Sequence, residues 1–380
     1  MKIVVMGYII RGPLGGMAWH HFQYVLGLVE LGHDVLYIED SDDYPSCYHP
    51  ENFTTTTEAS YGLHFIDNLF RQFDLKDAWA YYDSHLETWH NIPKEKALVF
   101  CSSADVLLNL SGINPIREWF LKVPCRLLID TDPGFFQVRM LQDITVLEMA
   151  RAHTHFFSFA ENIGQEACKL PTVNLPWHST RQPVFLPAWK VSGPQPNGPW
   201  TTIMQWDSYK EASYNGSVYG MKSKAFKDYE NLPGRLTDET FEIAMGSDSA
   251  PRTQLVNLGW KITDPFKATA TPWIFQKYIA TSKGEWTIAK HGYVETHSGW
   301  FSERTLNYMA SAKPVVVQDT GFTSYLPSGK GVFAFSNLEE AIEAIKIVNA
   351  DYEFHCLQAR KVVEEYFDSS KILQNLLNKL

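Results

Sequence analysis

Residues 3–6, Ile3-Val4-Val5-Met6, form a continuous apolar run that stops at Gly7, which predicts a short buried β-strand. A glycine-rich break follows, Gly12-Pro13-Leu14-Gly15-Gly16. From about residue 17 to 31 the apolar positions Phe22, Val25, Leu26 and Val29 recur at helical spacing, and Gly32 ends the pattern. Val35-Leu36-Tyr37-Ile38 is the next strand and closes on Glu39-Asp40. Strand, helix and strand in that order make a βαβ unit, whose crossover requires parallel strands. Apolar runs at 97–101, 106–110, 126–129 and 155–159 predict further buried strands, with helices between several of them. Residues 52–92 read as mainly helical, with Phe65, Leu69, Phe70 and Phe73 on one face.

The clearest break is Val191-Ser192-Gly193-Pro194-Gln195-Pro196-Asn197-Gly198-Pro199, a linker rich in proline and glycine. After it the pattern starts again. Strands are expected at 201–205, 240–244, 255–258, 286–289 and 314–318, and helices at 222–232, 271–280 and 302–312. The chain therefore divides into an α/β unit at 1–191, a second at 200–350 and an amphipathic helical segment at 351–380. That last segment either packs back across both units or completes the second. Two Rossmann-like halves in tandem face a central cleft, where ligand sites collect at the carboxyl ends of parallel strands.

Bulk composition narrows the field of functions. Hydrophobic residues are 45% and charged residues 20%, a globular balance, and the net charge of −10 argues against a nucleic-acid partner. Five scattered cysteines with no Cys-x-x-Cys spacing suggest neither a disulfide framework nor structural zinc, which fits a reducing cytoplasm. The first apolar run is too short for a signal peptide, and no stretch nears the roughly 20 apolar residues of a membrane span. A soluble, cytoplasmic protein is expected. The 12 tryptophans are read mostly as core, although such rings also stack on sugars.

The strongest motif runs from 298 to 322: Ser298-Gly299-Trp300-Phe301-Ser302-Glu303-Arg304-Thr305-Leu306-Asn307-Tyr308-Met309-Ala310-Ser311-Ala312-Lys313-Pro314-Val315-Val316-Val317-Gln318-Asp319-Thr320-Gly321-Phe322. It resembles the donor-binding segment of GT-B glycosyltransferases: a loop, a helix, a small-residue turn, Lys-Pro and an apolar strand. The likeness is strongest to the retaining, glycogen-synthase-like group and to the spore-coat glycosyltransferases. The resemblance implies a GT-B fold, with an acceptor-binding first domain and a second domain that binds a nucleotide-diphosphate sugar. It implies transfer of that sugar to a small-molecule or glycan acceptor, with retention, without metal and without another cofactor. Ser302 is a good helix N-cap, and with Glu303, Arg304 and Thr305 forms a first turn whose free N–H groups suit a diphosphate. Arg304 is expected to add a charge-assisted bond to the leaving phosphate. Where the family carries two glutamates, this chain has Gly299 and Asn307; Glu295 and Glu303 share the spacing but fall four residues early. Asn307 is expected to bond a ribose hydroxyl.

Other candidates come from loops at strand ends. Gly15 and Gly16 allow close backbone approach to a ligand. The first loop lacks a Gly-x-Gly-x-x-Gly fingerprint, which speaks against a dehydrogenase. In inverting relatives a histidine here is the general base, oriented by an aspartate, so the resemblance implies His20 or His21 in that role with Asp130 or Asp132. Asp130-Thr131-Asp132 is a literal Asp-x-Asp, but the second Rossmann-like half has no place in a GT-A fold, so no metal site is expected. In GT-B relatives a basic residue near the loop Tyr219-Gly220-Met221-Lys222-Ser223-Lys224 neutralises phosphate charge, so the resemblance implies Lys222 as the first choice and Lys224 as the second. His291, at a strand end, is expected to line the base pocket. The rival readings are a catalytically silent nucleotide- or sugar-binding protein and a nucleotide-sugar epimerase of the same fold.

Overall fold

The computed structural model describes all 380 residues. The first sheet holds eight strands: β1 (Lys2–Met6), β2 (Asp34–Asp40), β3 (Trp79–Asp83), β4 (Thr88–His90), β5 (Val106–Leu110), β6 (Cys125–Asp130), β7 (His155–Ser158) and β8 (Trp177–Ser179). Their spatial order is β8-β7-β6-β5-β1-β2-β3-β4, parallel throughout except for the β3–β4 hairpin at the edge. The second sheet has six parallel strands: β9 (Trp200–Gln205), β10 (Phe241–Gly246), β11 (Lys261–Thr263), β12 (Gly284–Thr287), β13 (Val315–Gln318) and β14 (Val332–Phe335). Their order is β11-β10-β9-β12-β13-β14. Each sheet has a strand that pairs out of chain order, so each has a switch point where loops diverge to leave a crevice.

Four expectations are corrected. Residues 97–101 lie in a helix, Lys94–Ser102, in which Ala97 and Cys101 are buried and Val99 is exposed. Burial four residues apart is a helical period, and a five-residue apolar run does not distinguish it from a strand. The same holds for 255–258: Leu255 is buried and Val256 exposed on the helix Arg252–Asn257. Of residues 52–92 only Ser60–Arg71 is an α-helix, and the aromatic stretch after it forms β3 and β4. The single helix expected at 222–232 is broken into Lys222–Phe226, a 3-10 turn and Leu232–Arg235. Pro233 then sits in a first turn, where its missing N–H costs nothing.

Six helices position the site: α1 (Gly15–Glu30), α2 (Phe135–Gln142), α3 (Pro272–Thr281), α4 (Glu303–Ala310), α5 (Tyr352–Tyr366) and α6 (Ser369–Leu377). Helix α1 belongs to the first sheet, yet twelve of its sixteen residues are buried, because α3 and α6 cover its outer face. Glycines permit both contacts. A Cβ on Gly15 would stand 2.3 Å from the Thr271 carbonyl oxygen, and one on Gly27 would stand 2.6 Å from Leu373. Trp19, fully buried, donates its indole N–H to the Pro272 carbonyl at 3.1 Å. Gly15→Ala is expected to destabilise the chain by about 1–3 kcal/mol through overpacking. Gly234→Ala, where a Cβ meets nothing within 4 Å, is the control and should be neutral or slightly stabilising. Equal urea midpoints for the two variants would contradict this account of α1.

The linker is held rather than loose. Lys313, the lysine of the Lys-Pro pair, is buried and donates from Nζ to the Gly193 carbonyl at 3.0 Å, while Ser192 bonds the Ser311 carbonyl. Ala312 takes a left-handed conformation at this small-residue turn (φ 57°).

Candidate active site

The loops that follow β9, β12 and β13 converge on the start of α4. Ser302 caps that helix by accepting from the Arg304 N–H, and the first turn of eight helical residues faces the crevice. A pocket opens here between the strand ends and the helix, walled by Thr287, Ala289, Trp300, Ser302, Thr305 and Gln318. Arg304 turns back under it. Its guanidinium bonds Glu285 at 2.5 Å, the Ile203 carbonyl at 2.8 Å and the Thr287 hydroxyl at 3.1 Å. Glu285 is fully buried and needs a cation, so Arg304 is bound to the protein and offers the pocket mainly its charge.

Lys222 differs from every other lysine here. It opens its helix 8% exposed, beside Arg304 and Lys290, and neither a hydrogen bond nor a partner of opposite charge ties down its ammonium. Burial, followed by the Arg304 guanidinium, drags its pKa well below the usual lysine value, and Glu285, Lys290 and Glu303 add smaller effects. A largely buried lysine without a protein partner, in the field of a second cation, is unfavourable as the ammonium until an anion joins it. Lys224, by contrast, is exposed.

The sequence matches no protein-family model and no curated protein. Solved structures match over the entire chain. An alpha-glucosyltransferase in complex with UDP superposes with a TM-score of 0.56 at 12% identity, covering 99% of this chain and 98% of that one. Sucrose-phosphate synthase from Thermosynechococcus elongatus gives 0.54 at 13% identity, covering 100% and 99%. Anabaena HepE in complex with UDP and glucose gives 0.54 at 11%, covering 100% and 99%. The chain has the GT-B fold.

Within this GT-B framework the other expected residues fall in varied places. Thr305 lines the pocket, whereas half-buried Glu303 opens the helix without lining it. Asn307 points away from it. Fully buried, it accepts from Gln23 of α1 at 3.5 Å, so its amide belongs to the contact between the halves and does not reach a ribose. Gly15 and Gly16 lie against Thr271 and Phe275, so helix packing is what requires glycine there. His291 opens the short helix His291–Glu295 rather than ending a strand, and its Nδ1 faces the Gly220 N–H at 3.5 Å.

The expected histidine–aspartate pair is not assembled. His21 bonds the Met17 carbonyl through Nδ1, and His20 sits edge-on against it and against Phe159. Asp130 takes bonds from Gln137 and Ser158. Asp132 accepts from Lys290 at 2.9 Å and from the hydroxyls of Tyr209 and Tyr293. Burial alone would raise the pKa of Asp132, but Lys290 and the two hydroxyls hold it below the usual carboxylate range. No three His, Cys, Asp or Glu side chains converge as a metal site would need. Sequence reasoning missed Lys290, Tyr209 and Tyr293. Lys290 was within reach of the logic that found Lys222, since it too follows an apolar strand at the cleft.

Burial also sets the acid response. The pKa values of His20 and His153 are pushed down to about 4, and burial lowers that of His21 well below its usual value, so the folded chain refuses protons that the unfolded chain accepts below about pH 6.5. Stability from these groups is complete above pH 6.5 and is lost as the pH falls towards 4, by up to about 3 kcal/mol per histidine. Asp130, raised by burial to about 6, opposes this by taking up a proton in the fold first. Three groups outweigh one, so the urea midpoint should fall between pH 6.5 and 4.5, and His20→Phe should flatten the slope. A flat profile for the unmodified chain would show that these histidines are protonated in the fold.

Proposed function

We propose that this chain is a glycosyltransferase that takes a sugar from a nucleoside diphosphate donor seated at the N-terminus of α4. The single observation that carries the reading is Lys222: a largely buried lysine with no hydrogen-bond or ion-pair partner, in the field of Arg304 of a capped helix in a GT-B fold. Solved structures of the same fold in complex with UDP support a nucleotide as the ligand.

In the reaction the bond from the anomeric carbon to the diphosphate oxygen breaks, and the acceptor oxygen bonds that carbon. Lys222, the first-turn N–H groups of α4 and the field of Arg304 stabilise the charge growing on the leaving phosphate. With His20 and His21 enclosed and Asp132 committed to Lys290, the acceptor proton passes to the departing phosphate oxygen, which favours retention of configuration. These cations and N–H groups do the work of a divalent metal, so the reaction proceeds in its absence. The crevice face of the first sheet takes the acceptor, and the net charge of −10 weighs against a polyanionic one.

The test is a panel of nucleotide sugars, followed by calorimetry and by release of nucleoside diphosphate in EDTA. One donor should bind and turn over slowly. Binding without release, even with acceptor-containing extracts, would leave a silent binder; release that depends on added metal would remove the metal-free mechanism.

A further inference from the structure

The halves meet along two unlike seams. On one side α1, α3, α4, α5 and α6 share an apolar core of 48 buried residues, running from Ile3 and Trp19 through Ile279 and Leu306 to Val363 and Leu373. Polar ties reinforce that union: Asn162 donates to the His297 and Gly321 carbonyls at 3.1 and 2.9 Å. Arg360 reaches the Trp189 and Ala310 carbonyls at 2.9 and 2.6 Å.

The other seam lies at the mouth of the donor site and is slight. Its apolar part is a cluster of six buried residues, Phe135, Val138, Tyr219, Met221, Ala289 and Tyr293. Its polar part is the knot in which Asp132, from the first half, accepts from Lys290, Tyr209 and Tyr293 of the second. The Lys290 ammonium also lies 4.4 Å from the Tyr209 ring centre and 5.0 Å from that of Phe135. Between β9 and Lys222 the chain inserts a hairpin, Ala212–Tyr214 with Ser217–Tyr219, which lies on α2 of the first half. Positive φ angles at Asn215 and Gly216 (48° and 81°) make its turn the tight kind that suits twisted strands, so the hairpin is a unit. Tyr209 stands at its root.

Rigid-body motion between domains is the ordinary expectation only where the interface is small or polar. The apolar core that continues from the first half across this seam resists it, whereas local opening is easiest where buried contacts are few. We propose that the donor enters by lifting of segment 207–221 rather than by parting of the halves, and that Asp132, Lys290 and Tyr209 are the clasp that holds this lid shut. The proposal rests on the donor reading above. Asp132, Lys290 and Tyr209 are then positioning residues, which set how fast the donor enters and leaves.

Hydrogen exchange on the full chain tests it. Tyr209→Phe removes only a hydroxyl and leaves the ring over Lys290; Asp132→Asn is the second variant. Each should speed exchange of the 210–220 amides about tenfold or more and leave α1, α3 and α4 unchanged. UDP, with GDP and ADP in parallel, should associate and dissociate faster with Tyr209→Phe, while the radius of gyration of the unmodified chain stays constant on saturation. The lid is overturned if neither variant changes exchange at 210–220, or if saturation contracts the chain and alters exchange in α3 and α4. If none of the three nucleotides binds, the donor reading falls, and the exchange data still decide whether the clasp exists.

Discussion

Lys222→Met is expected to lower kcat/KM by about 100- to 1,000-fold, the cost of losing one preorganised donor at a developing oxyanion. The same substitution should raise stability in the absence of ligand. The buried ammonium lacks a partner and stands beside Arg304, so removing its charge relieves desolvation and repulsion together. Opposite signs for activity and stability are the mark of a functional group held under strain, and a structural lysine would lower both. Steady-state kinetics with the donor found in the panel and urea unfolding of the free chain measure the two effects. Unchanged turnover would remove Lys222 from the site; lost activity with lost stability would make it a structural lysine.

Arg304→Met should act mainly on the fold. It strands the carboxylate of Glu285, which is fully buried and already has one oxygen without a partner. Breaking a buried pair by removing one member costs about 3–5 kcal/mol, more than replacing both members. The double variant Glu285→Leu with Arg304→Met should therefore recover part of the loss. A single Arg304→Met variant as stable as the parent would show that Glu285 does not depend on the arginine, and would separate the arginine from the support of the strand below it.

Much of the architecture could be read from the hydrophobic pattern. The runs that became β1, β2, β5 and β13 are largely apolar and bounded by glycine, proline or charge, which is the pattern of strands buried on both faces. The short apolar runs at 97–101 and 255–258 were ambiguous because a four-residue helical period and a buried strand look alike over so few positions. At the site, Lys222 and Ser302 were accessible because each sits at a helix start after a strand, where chain order and chemistry coincide. Asn307 was misplaced because its helix has two buried faces, one towards the pocket and one towards α1, and sequence spacing does not say which is which. The histidine pair failed for the same reason: α1 is covered on both sides, so a polar residue on it is enclosed rather than presented. The Asp132–Lys290 contact joins residues 158 apart in the chain, and only the docking of the two halves brings it about.

The central claim is that a diphosphate completes Lys222. A crystal structure of the chain grown with the nucleoside diphosphate that binds in the calorimetric panel tests it most directly. The account predicts a phosphate oxygen within hydrogen-bond distance of Lys222 Nζ and a second on the first-turn N–H groups of α4. A nucleotide seated elsewhere, with the Lys222 ammonium still unpartnered, would contradict it.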